Sequence, residues 1–452
     1  MTHPVSHSAG SWEPFQPSDQ TPWDLRAAAH LFRRAGFGAN WEQLNSAVAK
    51  HPADVVSELL NAEQPDDFRR DIQSLADAAI ATGNARQLSG WWTWRMLSTP
   101  AQLLEKTTLF WHGHFATSAA KVDPPRLMLA QNELLRRYAL GNFGELLLEI
   151  SRDPAMLIWL DSASNRKQHP NENYAREIME LFCLGEGNYS EQDIRELARC
   201  FTGWEVRRDA FRFNRYQHDT GTKTILGQTG EFNGEDGVRI VLSQPTAAEF
   251  IAGKLVRFFV SDTLELTNEL ITPLAVALRT ANMEVKPVIA MILNSQLFYS
   301  SQSVARKIRS PAELAIGFLR CLDGTTNTLS LAETMDQIGQ GLFYPPSVKG
   351  WDGGRTWINS STLLGRSNAI RRVLESDKTR FGRESLQQYF AQQQLSHPQA
   401  ILERLEVLLL AVPVSADART RIESVISTAG NSTVGLVEGL HAICTLPEFQ
   451  LC

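Results

Sequence analysis

Between His169 and Trp204 the sequence reads HPNENYAREIMELFCLGEGNYSEQDIRELARCFTGW, and its apolar spacing restricts the fold more than any other stretch. Tyr174, Ile178, Leu181 and Phe182 recur at i, i+4, i+7 and i+8, which lines one face of an α-helix. Pro170 suits a first helical position, with Asn171 as the competing N-cap one residue later. Gly185 and Gly187 supply a stop. Ser190 with Asp193 three residues on reads as the cap of a second helix. Ile194, Leu197, Ala198 and Phe201 form the apolar face of that helix, and Gly203 ends it. Two short amphipathic helices therefore stand at the centre of the chain.

Their other faces are dense in charge. Asn173, Arg176, Glu177 and Glu180 fall on one stripe of the first helix. Glu172 to Arg176 and Arg176 to Glu180 are i,i+4 pairs, favourable by roughly 0.3–0.5 kcal/mol each on an exposed helix. Most helix charges form a solvated face, which is one reading. In the other reading Glu177 and Glu180, at i,i+3, face inward and share a cation or a proton, with Arg176 or Arg199 as partner.

The same segment resembles the central signature of the domain of unknown function 1800 family (DUF 1800). That signature runs N-E-N-F/Y-A-R-E-x-x-E-L-F-x-L-G and continues D-x-x-E-x-A-R-x-x-T-G-W. HLFRRAGFGA at 30–39, LFWHGHFATS at 109–118, HDTGTKTILGQTG at 218–230, LFYPPSVKGWDGGRTWINSSTLLGR at 342–366 and TLPEFQL at 445–451 also match, in family order. The resemblance implies a bacterial protein and no particular reaction. It also implies a partner, since members are often encoded beside an exported, sulfatase-like protein.

Helical patterning dominates the remaining chain: 24–34, 41–50, 52–61, most of 65–97, 124–138, 143–152, 154–160, and then 234–243, 246–259, 264–297, 302–322 and 328–340. Thr99-Pro100-Ala101-Gln102 reads as a capping box that starts a helix at Pro100. Strand alternation is confined to 204–232, where glycines punctuate a small antiparallel hairpin inserted between helices. The fold expected is mainly α: one large multi-helix domain. A loose arm at 1–22 precedes a helical core at 23–366, and a C-terminal helical subdomain at 367–452 packs on it. With 452 residues, 43% of them hydrophobic, the chain can bury a large core.

The net charge of −6, without a basic tail, does not favour nucleic acid. Five scattered cysteines with no CxxC suggest reduced thiols rather than a disulfide framework. Residues 1–22 carry neither an apolar run nor a twin-arginine pair, and no apolar run elsewhere is long enough to span a bilayer. A cytoplasmic location is expected on that basis. The exported neighbour of the family makes the periplasm the alternative.

Three further features bear on chemistry. His112 and His114 flank Gly113, and on a continuous helix they would point some 200° apart. A break at Gly113 would let them converge on a divalent metal ion, with Glu177 completing the site. Otherwise they are hydrogen-bonded histidines packed between aromatics. His218-Asp219 is a candidate acid–base pair at a hairpin bend, or a turn with a solvated histidine. The loop at 344–362 combines Lys349, Trp351, Asp352, Arg355 and Trp357 with glycines that allow close backbone approach, and it suits sugar or phosphate ligands. With Asn171 and Asn173 these are the candidate substrate-binding residues. Glu177, Glu180, Arg176, His218 and Asp219 are the candidate catalytic ones. Together they describe a metal-assisted hydrolase acting on a polyhydroxylated or anionic substrate. The alternative is a non-catalytic helical scaffold that binds a partner protein or a glycan.

Overall fold

The computed structural model of the protein describes residues 11–395, 397–428 and 433–452. Helices make up 60% of the chain, and the strands form small two-stranded antiparallel sheets. The helix Gln102–His114 is deeply embedded, with every residue buried except Leu104 and Gly113. Helices Leu25–Ala35, Pro52–Leu60, Arg86–Ser98 and Pro125–Arg137 pack around it. One hydrophobic core runs from Trp12 to Phe449.

Side-chain caps start many of the helices. Ser190 and Asp193 form the expected capping box of Glu191–Cys200, and Asn233 with Asp236 and Ser310 with Glu313 form two more. Thr99 does not start the next helix. It closes Arg86–Ser98, and the following helix begins at Gln102. The span expected to be helical from 264 to 297 divides into Asn268–Thr280 and Val285–Leu293. Asn282 and Met283 hold positive φ between them, which no continuous helix accommodates.

Within 204–232, Trp204–Arg207 pairs with Ala210–Phe213, and Lys223–Ile225 with Gln228–Gly230. A third pair, Gly324–Thr325 with Arg380–Phe381, lies outside that segment and corrects its expected monopoly on strand. The first ten residues of the expected loose arm lie outside the described residues. The next ones are anchored: the Trp12 indole donates to the Leu270 carbonyl at 2.8 Å, and Phe15 stacks on Tyr299. The boundary expected near 366 falls inside the helix Ser360–Glu375. From that helix Arg366 donates to Gln450 Oε1 at 2.8 Å, while Arg34 donates to the Cys452 carbonyl at 3.1 Å, so the chain end is tied into the core. All five cysteines are free and buried. No helix among the described residues is long and apolar enough to cross a membrane.

Candidate functional site

The helix Gln102–His114 does not break at Gly113. Its two histidines therefore diverge, as continuous helical geometry requires. His112 Nε2 accepts the Phe343 N–H at 3.1 Å, and the ring lies edge-on to Trp92. His114 donates Nε2–H to the Phe182 carbonyl at 3.0 Å, and Phe115 and Phe182 pack against it. Burial pulls both imidazoles down to about 3, helped at His114 by the Lys254 ammonium, so both are neutral at pH 7. The expected pair of metal ligands is thus two core histidines committed to main-chain groups. No three His, Cys, Asp or Glu among the described residues come together in a way that could hold an ion, and Glu177 does not join them.

The central charges also find partners other than those expected. Arg176 pairs with Glu191 at 2.7 Å and Glu172 at 3.5 Å on the surface. Glu180 accepts the Tyr189 hydroxyl at 3.0 Å. Glu177 is half-buried, and burial together with Glu180 pushes its carboxyl up. Arg199 pairs with Glu196 at 2.6 Å and Asp219 at 2.7 Å. Asn171 and Asn173 are taken up locally, each donating its amide to a carbonyl, Asp161 and Leu160 respectively. His218 donates Nδ1–H to the Thr202 carbonyl at 2.9 Å, so His218 and Asp219 serve separate partners and not each other.

What the structure does bring together is the 349–357 loop and a face of the helix Pro245–Phe259. Between them lies a cavity of about 640 Å³, within the usual range for small-molecule sites. Lys349, Trp351, Asp352, Arg355 and Trp357 all line it, as does His114. The loop can lie this close because of a glycine. Gly350 has φ +81°, and a Cβ there would sit 2.2 Å from the Gly113 carbonyl oxygen. The indole of Trp351 follows directly and rests near His112, with ring centroids 5.7 Å apart.

Lys254, Arg257 and Phe258 form the opposite wall, at i, i+3 and i+4 of a helix whose buried residues are all apolar. Sequence patterning does carry this signal: two cations and an aromatic share one narrow stripe of a helix whose only other charge is Glu249. Asp262, Lys307 and Glu313 complete the floor.

The central signature supports this site from behind. Ile178–Cys183 is a π-helix, a wider turn often found near functional sites. Leu184 N–H reaches back to the Met179 carbonyl at 2.9 Å, and the Phe182 carbonyl is left to hold His114. Gly185 then packs on the Phe250 ring, one turn before Lys254.

A family model described as "Protein of unknown function (DUF1800)" matches residues 30–451. The chain belongs to the DUF1800 family. No curated protein and no solved structure matches it. The DUF1800 match spans both walls of the cavity and the signature behind it.

The charges around the cavity do not balance. Five basic side chains and three acidic ones line it. Each acid is already engaged. Asp262 accepts from Lys307 at 3.3 Å and from the Ile308 N–H at 2.8 Å. Glu313 accepts from Lys106 at 2.5 Å and the Ser310 N–H at 2.7 Å, and although burial opposes ionisation, Lys106 and Lys307 hold its carboxyl far below the usual range. Asp352 pairs with Lys349 at 2.6 Å. Among the described residues Lys254, Arg257 and Arg355 have no carboxylate partner. Arg257 donates only to the main-chain carbonyl of Asp262, at 3.0 Å.

Proposed function

We propose that this DUF1800 protein binds an anionic, hydroxyl-bearing small molecule in the cavity beneath the 349–357 loop. The observation that carries this reading is the set of three cations, Lys254, Arg257 and Arg355, that face one cavity without a carboxylate among the described residues. A cation confined beside low-dielectric walls attracts anions more strongly than one in water. Trp351 and Trp357 add flat apolar faces of the kind that pack against a sugar ring. The substrate class inferred from the loop composition is retained in this reading. The metal-assisted hydrolysis inferred beside it lacks a donor set among the described residues, and binding is the part the geometry supports.

The test is thermal unfolding with glucose 6-phosphate, glucuronate and glucose. Ligand binding at about a hundred times Kd stabilises by ~2.7 kcal/mol. Both anions are expected to raise the midpoint and glucose to leave it unchanged, with the gain shrinking in high salt. An equal response to glucose, or none to either anion, would favour the scaffold that binds a protein partner.

A further inference from the structure

We propose that Lys254 is a nucleophilic amine that captures the carbonyl group of a ligand as an imine, so that the cavity takes aldehydes or ketones bearing an anionic group. The anionic part of this assignment rests on the binding reading above. The amine part rests on what surrounds Lys254.

Lys254 is half-buried, and the fully buried lysines among the described residues are all tied down. Lys106 donates to Glu313 at 2.5 Å, and Lys307 to Asp262 at 3.3 Å. Lys223 donates to the carbonyls of Asp219 and Gly221, at 2.6 and 3.0 Å. Lys254 has no hydrogen-bond acceptor among the described residues. Its nitrogen stands 5.0 Å over the Phe250 ring and lines the open cavity. Burial, and then the nearby Lys349 ammonium, lower its pKa. Desolvation and a second cation both favour the neutral, nucleophilic form of a lysine.

The step balances without an oxidant or a reductant. The Nζ lone pair attacks the carbonyl carbon and forms the C–N bond, while the C=O π pair moves to oxygen. One proton passes from nitrogen to that oxygen, giving a carbinolamine. Loss of the hydroxyl with the second amine proton releases one water and leaves C=N. Arg257, one turn further along the same helix face, and Arg355 across the cavity are placed to hold the anionic group.

Full-length protein is incubated with glyceraldehyde 3-phosphate or with uncharged propionaldehyde, each with cyanoborohydride to trap the imine. The modified lysines are then mapped by mass spectrometry. The expected result is one dominant adduct at Lys254, formed faster than at exposed Lys50 or Lys121 and faster with the phosphorylated aldehyde. Lys254→Arg is expected to lose the adduct, whereas Lys50→Arg, at an exposed lysine, is expected to leave the Lys254 adduct in place. Labelling spread over exposed lysines, with Lys254 no faster, overturns the imine even if glucose 6-phosphate still stabilises. Selective labelling of Lys254 by both aldehydes at one rate upholds the imine and removes the anionic requirement.

Discussion

The first turn and the last turn of the helix Gln102–His114 sit in contrasting electrostatic surroundings. Near its start Glu105 is fully buried. Its carboxylate accepts from the Trp92 indole at 3.0 Å, from Arg95 at 2.7 Å and from Arg136 at 2.6 and 3.0 Å. Glu133 and Gln64 take up further Arg95 donors at 3.0 Å each. Burial alone would raise the Glu105 pKa, but Arg136 and Arg95 bring it down to about 2. Nine residues on, about 13 Å along the axis, the same helix ends at a cavity where Lys254, Arg257 and Arg355 lack such partners among the described residues. Charges that a fold needs for itself arrive with their counter-charges. Charges left facing a void are available to something else. Buried networks of the first kind rigidify a scaffold, whereas unpaired groups in a cleft mark a candidate binding site.

The largest expected effect belongs to the closed network. Glu105→Gln leaves Arg95 and Arg136 buried without that carboxylate and is expected to cost about 3–5 kcal/mol in denaturant unfolding, with ligand binding in the cavity unchanged. A loss of binding with intact stability would reverse the roles given to the two ends.

Acid sharpens the same contrast. The Glu105 pKa is depressed in the fold, so its contribution is present above the unfolded carboxylate value, near pH 4.3, and is lost as pH falls towards about 2. His112 and His114 are depressed to about 3, so the unfolded chain binds more protons between that pH and roughly 6.5, and stability falls as pH drops through the window. Replacing His112 by Phe is expected to flatten the slope of stability against pH between 6 and 4 by about 1.4 kcal/mol per unit. An unchanged slope would mean that His112 titrates as if exposed.

The smallest effect is expected at the centre of the signature. Arg176 is on the surface with Glu191 and Glu172, and exposed pairs contribute little. Arg176→Ala is expected to leave the unfolding midpoint and anion binding where they are. A large loss of either would restore the inward-facing charge cluster as the functional centre.

Periodicity and capping make most helices legible in the sequence, and alternation places strand between Trp204 and Gly230, where the one hairpin expected is two. The pair Gly324–Thr325 with Arg380–Phe381 is two residues long, too short for a period of two to register. The π-turn at Ile178–Cys183 leaves no mark in apolar spacing, and at its end the Phe182 carbonyl, free of an intrahelical partner, holds His114. In the site, the glycine and tryptophan content of the 349–357 loop points to residues that do line the cavity. Asn171, Asn173 and Arg176 donate to neighbours in the fold and do not line this cavity. Lys254 and Arg257 escape notice because the helix around them is apolar. Only the loop folding across from Trp351 to Trp357 turns their stripe into a wall.

The unpaired cations of the cavity are tested most directly by diffraction from crystals soaked in selenate, an anomalously scattering tetrahedral dianion, in the wild-type protein and in Arg257→Ala. A selenate peak is expected within hydrogen-bonding distance of Arg257 and Arg355 in the wild type, lost in the variant. Selenate found only on exposed arginines such as Arg215, with the cavity empty at saturating concentration, would contradict it.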